Sequence, residues 1–136
     1  MNHTGGCACG ALRFTSSADP VDGGYCHCRL CQKTNGAPVL AWASFPIAAF
    51  SYTRGVPARF ASSPNGLREF CATCGTPIAF RMAMEAATVD VYVGALDDPN
   101  AFPPRQHVWC ESAVSWFAID DQLPRYAQAA PATKLA

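Results

Sequence analysis

Apolar residues in this chain come in short runs, and Gly or Pro separates most of them. Leu12 and Phe14 alternate with Arg13 and Thr15, the period-two pattern of a half-buried strand. The stretch 39–45 (VLAWASF), opening after Pro38, predicts a second strand; 67–70 and 78–81 predict two more, on either side of a C-x-x-C. Val89, Val91 and Val93 alternate with Asp90, Tyr92 and Gly94 in the cleanest strand pattern of all. The segment 106–110, after Pro103-Pro104, predicts a further strand, with Val108 and Cys110 on one face and Arg105, His107 and Trp109 on the other. Only 29–35 and 48–50 invite short helices, and no segment carries a long 3.6-residue stripe. The pattern predicts a mainly β fold with short helical turns.

With 136 residues a single domain is expected over 1–136, its core about 5–126 and a frayed tail at 127–136. Half of the residues are hydrophobic and only 15% are charged, so much of the chain must be buried or bound to something. The formal net charge is zero, which argues against a nucleic-acid partner, since that would need a basic surface. No apolar run is long enough for a membrane span, and residues 1–6 lack the charged-then-apolar order of a secretory signal. A cytoplasmic location is expected. Disulfides are rare there, so eight cysteines read as metal ligands. Oligomeric state is not legible.

Seven of those cysteines form three tight groups: Cys7 and Cys9 as C-x-C, Cys26, Cys28 and Cys31 as C-x-C-x-x-C, and Cys71 and Cys74 as C-x-x-C before Gly75. Closely spaced thiolates converge on one ion at little entropic cost. Glycines flank the first and last groups and let the backbone turn sharply around a metal. Two such pairs give the thiolate count of a closed tetrahedral site, although spacing alone leaves the pairing open. A redox C-x-x-C of the thioredoxin kind needs a βαβ context that Gly75-Thr76-Pro77 does not offer. Plain buried cysteine is the other bland reading.

The middle group, Tyr25-Cys26-His27-Cys28-Arg29-Leu30-Cys31, supplies three thiolates and leaves the fourth tetrahedral position to water, a substrate thiol or a distant side chain. Structural zinc sites are closed and catalytic ones keep an open position. A zinc centre with three thiolates is a mild Lewis acid, suited to binding and deprotonating a thiol. His27, between two ligands, should point away from them as a supporting or packing residue. His107 reads as structural, and His3 carries no signal. Cys110 reads as a small core residue, the alternative being that it closes the three-cysteine site. The zinc deaminase H-x-E pattern is absent, as are a serine nucleophile elbow and a phosphate-binding glycine loop.

The order GGCACG at 5–10, CHCRLCQKTNGAP at 26–38 and FCATCGTP at 70–77 closely resembles the glutathione-dependent formaldehyde-activating family, which also includes the centromere protein V domain. HVWCESAVSWF at 107–117, followed by Leu123-Pro124, is similar to that family's C-terminal signature. The resemblance covers about 5–126. It implies a zinc-stapled, Mss4-like (β-tent) domain with two zinc ions. Cys7, Cys9, Cys71 and Cys74 would hold the structural ion, and Cys26, Cys28 and Cys31 the catalytic one.

The implied activity is that of a carbon–sulfur lyase run in reverse: glutathione adds to formaldehyde and gives S-(hydroxymethyl)glutathione. The second zinc would bind the glutathione sulfur and lower its pKa, and much of the gain would come from holding two small reactants together. Glutathione brings two carboxylates, for which Arg29, Lys33, Arg54 and Arg59 are the candidate cations. Trp42, Trp109, Trp116 and Phe117 are candidates to wall a pocket. Two rival readings are a zinc-stabilised binding or scaffold module without turnover, and a zinc-handling or redox-sensing protein.

Overall fold

The computed structural model describes residues 2–131. It contains ten strands and one α-helix among these residues. Strands β1 (His3–Gly6), β2 (Arg13–Ser16) and β5 (Phe50–Arg54) form a small antiparallel sheet in the order β1-β2-β5. The remaining strands are β3 (Asp22–Cys26), β4 (Leu40–Pro46), β6 (Ala58–Ser63), β7 (Gly66–Phe70), β8 (Pro77–Met82), β9 (Thr88–Tyr92) and β10 (His107–Val108). They form a seven-stranded sheet in the order β10-β3-β4-β9-β8-β7-β6, antiparallel except for the β10–β3 pair. The mainly β expectation holds. Helix α1 (Arg29–Asn35) has the predicted bounds, and the expected turn near 48–50 is a 3-10 turn at Ile47–Ala49.

Alternation along β4 and β9 sorts side chains to the two faces of the large sheet. Ala43, Phe45, Val89 and Val91 join Leu12, just before β2, and Phe14 of the small sheet in the main core, with Phe50 and Tyr52 packed against it. Their even-numbered neighbours face the other way, where Leu40 and Trp42 pack with Cys26, Cys31 and Val108 in a second, smaller cluster. The sheet therefore has a face that builds the main core and a face that carries Cys26, Cys28 and Cys31.

Three expectations need correction. The strand predicted at 106–110 is only two residues long, because Trp109 adopts a left-handed backbone conformation (φ 57°) and Cys110 begins a 3-10 turn. Cys110 thus does not continue the face of Val108. His3, read as uninformative, belongs to β1, where it bonds Asp19 and packs on Phe45. Of the tail, 132–136 lies outside the described residues. Before it, Trp109 N–H donates to the Gln128 carbonyl at 3.0 Å and Glu111 N–H to that of Ala127 at 3.3 Å, so backbone pairing continues past residue 126.

Candidate functional site

The structure brings the seven grouped cysteines into two clusters. Cys7, Cys9, Cys71 and Cys74 form one, and Cys26, Cys28 and Cys31 the other; within each, the sulfurs all lie within 4.8 Å of one another. No cysteine is in a disulfide. Cys110 joins neither cluster. Each cluster could hold a metal ion.

The four-cysteine cluster joins the β1–β2 loop to the β7–β8 loop. The two loops are built alike: Gly10 N–H returns to the Cys7 carbonyl at 3.2 Å and Gly75 N–H to that of Cys71 at 2.8 Å. Both glycines have positive φ, 80° and 79°, a conformation that side chains rarely adopt. Cys7 and Cys9 sulfurs are 3.6 Å apart, and Cys9 and Cys71 sulfurs 3.8 Å. Backbone N–H groups point at them: Leu12 donates to Cys7 Sγ at 3.2 Å, and Thr73 and Cys74 each to Cys71 Sγ at 3.4 Å. The Leu12 donor favours the ionised form of Cys7, the form that a metal needs.

The three-cysteine cluster sits where β3 runs into α1. Cys26 ends β3, and Cys28 caps the helix, accepting from Cys31 N–H at 3.3 Å. The contacts with Cys26 and Cys31 lower the Cys28 thiol well below its ordinary range, while contact with Cys28 raises that of Cys26. His27 points away from the sulfurs, as the alternation predicts. Its Nε2 lies 2.9 Å from His107 Nδ1, and His107 Nε2 lies 2.9 Å from Asp121. Burial, then His107 and Arg125, lowers its pKa. Gln32 ties the loop down, donating to the carbonyls of His27 (2.8 Å) and Ser112 (3.1 Å).

These three sulfurs lie at a cavity of about 220 Å³ whose apolar walls include Leu40, Trp42, Phe80, Val108 and Trp109. A row of directly opposed residues crosses five strands here: Arg68 (β7), Phe80 (β8), Asp90 (β9), Ser44 (β4) and Asp22 (β3). Arg68, Phe80 and Asp90 line the cavity, and Ser44 hydrogen-bonds Asp90 at 2.5 Å. Arg68 donates to the Tyr92 hydroxyl at 3.1 Å and to Ser62 Oγ at 3.0 Å, and it lies 3.7 Å from Cys31 Sγ. Gly24 makes room for the Trp42 ring, since a Cβ there would come within 2.9 Å of it. A second cavity, of about 360 Å³, shares Trp42, Asp90, Val108 and Trp109 with the first and adds Asp22 and Gln106.

Of the expected aromatic walls, Trp42 and Trp109 line the cavity, whereas Trp116 and Phe117 are exposed and touch each other. Of the expected cations, none lines it. Arg29 bonds Gln32, Arg54 the Gly10 carbonyl, and Arg59 the buried Glu69. The cation in the cavity is Arg68, which the sequence reading missed. Its signal is a charge inside a strand, between Leu67 and Glu69, directly before the C-x-x-C.

Residues 2–112 match the family described as glutathione-dependent formaldehyde-activating enzyme. The chain belongs to that family. Among solved structures it is similar to a Rhodobacter sphaeroides protein, at 20% identity and a TM-score of 0.59, over 75% of this chain and 92% of that one. At that identity the likeness concerns the fold.

Proposed function

We propose that this member of the family adds the thiol of glutathione to formaldehyde, giving S-(hydroxymethyl)glutathione, at the cavity of Cys26, Cys28 and Cys31. The observation that carries this reading is the convergence of three sulfurs at an apolar-walled cavity beside a cation, Arg68. The proposed metal is zinc in both clusters. Zn–S bonds of about 2.3 Å in a tetrahedron give sulfur–sulfur edges of about 3.8 Å, and 3.6 and 3.8 Å are found between Cys7, Cys9 and Cys71. The all-thiolate donor set is soft, which suits zinc. A zinc ion held by Cys26, Cys28 and Cys31 would supply a centre that keeps a bound thiol deprotonated.

The protein's own groups do the rest. The thiol enters sulfur-first, and Leu40, Trp42, Phe80, Val108 and Trp109 exclude water around it. Low polarity there strengthens the field of Arg68 on the sulfur. The ammonium group of the tripeptide suits the adjoining cavity, where Asp22 and Gln106 lie. Holding thiolate and aldehyde together replaces a bimolecular encounter with a local one. Zinc at Cys7, Cys9, Cys71 and Cys74 would staple the small sheet to the large one, within a single domain. No helix among the described residues is long and apolar enough to cross a membrane. A reducing cytoplasm would keep eight free thiols available.

The test is metal analysis with and without glutathione, together with product detection by NMR. Two zinc ions per chain, a cobalt-substituted spectrum that shifts on adding glutathione, and product formed faster than in buffer are expected. One ion per chain, indifferent to glutathione, would overturn the reading in favour of a stapled binding module.

A further inference from the structure

Thiol addition to an aldehyde moves a proton as well as a carbon. The thiol must lose one, and the new alkoxide must gain one. Among the described residues that line the three-cysteine cavity, one carboxyl is present, that of Asp90. The sheet register fixes its position. Asp90 stands on the face away from the main core, opposite Ser44 on one side and Phe80 on the other. The Ser44 hydroxyl donates to Oδ1 at 2.5 Å and holds the carboxyl in one orientation. Asp90 also lines the second cavity, so it sits where the two meet.

We propose that Asp90 is the proton-transfer residue of this site. In its carboxylate form it takes the proton of the entering thiol. The sulfur then forms a bond to the aldehyde carbon, the carbonyl π bond breaks, and the alkoxide oxygen takes the proton back from Asp90. The carboxylate is regenerated and no other reactant is consumed. This assignment rests on the glutathione reading above.

The surroundings of Asp90 suit the task. Burial raises its pKa to about 6, Asp22 adds to the rise, and the Ser44 hydrogen bond opposes it. A group with a pKa near the working pH both accepts and releases protons readily. From β4 it meets the Ser44 hydroxyl, and from β3 the charge of Asp22, which Gln106 Nε2 holds at 3.1 Å. From β8 it meets the uncharged Phe80. Arg68 of β7 is engaged by Ser62, Tyr92 and Cys31. The three cysteines share the cavity.

The test uses the full-length zinc-loaded protein and compares wild type with Asp90→Asn from pH 5 to 8. General acid–base catalysis contributes roughly 100-fold or more. The expected result is a kcat at least tenfold lower in D90N, no inflection near pH 6, and unchanged zinc content. Infrared difference spectra, wild type minus D90N, should show a protonated carboxyl band that disappears as pH rises through about 6. Ser44→Ala removes the opposing hydrogen bond and should move the wild-type inflection to higher pH, which a purely structural role would not do. Wild-type kcat and pH profile in D90N, or an unmoved inflection in S44A, would overturn the assignment of Asp90 alone. A wild type that does not accelerate the addition would overturn both the assignment and the glutathione reading.

Discussion

The guanidinium of Arg68 lies against the sulfur of Cys31, with Nη1 at 3.7 Å and Nη2 at 3.8 Å. Arg68 is 8% exposed, and a buried cation is costly unless its charge is met. The Cys31 sulfur and the ionised Cys28 beside it face the charge, and the cation in turn favours the ionised form of both. Arg68→Gln should weaken metal retention at the three-cysteine site by about tenfold or more and leave the four-cysteine site loaded. Competition with a chelator measures this. Arg68→Lys should restore only part of the loss, because one ammonium cannot reach Ser62, Tyr92 and Cys31 together. Equal retention in all three proteins would make Arg68 a packing residue.

The two cysteine clusters should respond differently to the loss of one sulfur. Cys71 is buried and joins loops that lie more than sixty residues apart in sequence, as its contact with Cys9 shows. Cys71→Ser should unfold or aggregate the protein, because metal binding of this kind is worth about as much as the domain's whole stability. Cys28 is an N-cap, and serine is a good N-cap. Cys28→Ser should therefore stay folded with one metal ion fewer and no thiol chemistry. Thermal melts with metal analysis separate the two. If both variants unfold alike, the three-cysteine site is structural.

Glu69 ties the two sheets together away from the cavity. It is 0% exposed and accepts from Tyr52 Oη of the small sheet at 3.0 Å, from Arg59 at 3.0 Å, and from Arg81 at 2.8 Å. Glu69→Gln leaves Arg81 half-buried without its counter-charge, and breaking a buried pair in this way costs about 3–5 kcal/mol. Urea unfolding should show a loss of that order. A change below about 1 kcal/mol would mean that water replaces the carboxylate.

What was legible in the sequence follows from how local each signal is. Alternation along 89–92 marked β9 and both of its faces, although Val93 and Gly94 of the same pattern form a 3-10 turn, and the spacing of the cysteines marked their three groups. Strand β3 was hidden because Gly23 and Gly24 carry no side chain to show an alternation; they are glycines because Phe102 and Trp42 occupy the space a Cβ would fill. Strand β6 was hidden because it is a largely exposed edge with no apolar face. Arg68 was hidden for a different reason. Its partners Cys31 and Tyr92 are 37 and 24 residues away, and only the sheet register and the placement of α1 bring them together. The positive φ of Trp109 gives no signal either, so the apolar pattern extends the strand to Cys110 where the backbone already turns.

Asp90 also predicts a pH-dependent stability of definite sign. Its folded-state pKa is raised from 3.8 to about 6, so between those values the folded chain binds more protons than the unfolded one. The contribution is present in full below about pH 4 and is lost as pH rises through about 6. At neutral pH the ionised carboxylate therefore costs stability, by about 1–3 kcal/mol. Asp90→Asn carries no charge to bury. D90N should be more stable than wild type by about that amount at pH 7.5, and the difference should vanish by about pH 4. Urea unfolding at the two pH values measures it. A variant that gains stability at neutral pH while losing turnover is what a group held in an unfavourable state for chemistry should give. Equal stability at both pH values would mean that the carboxyl is well solvated and titrates in the ordinary range.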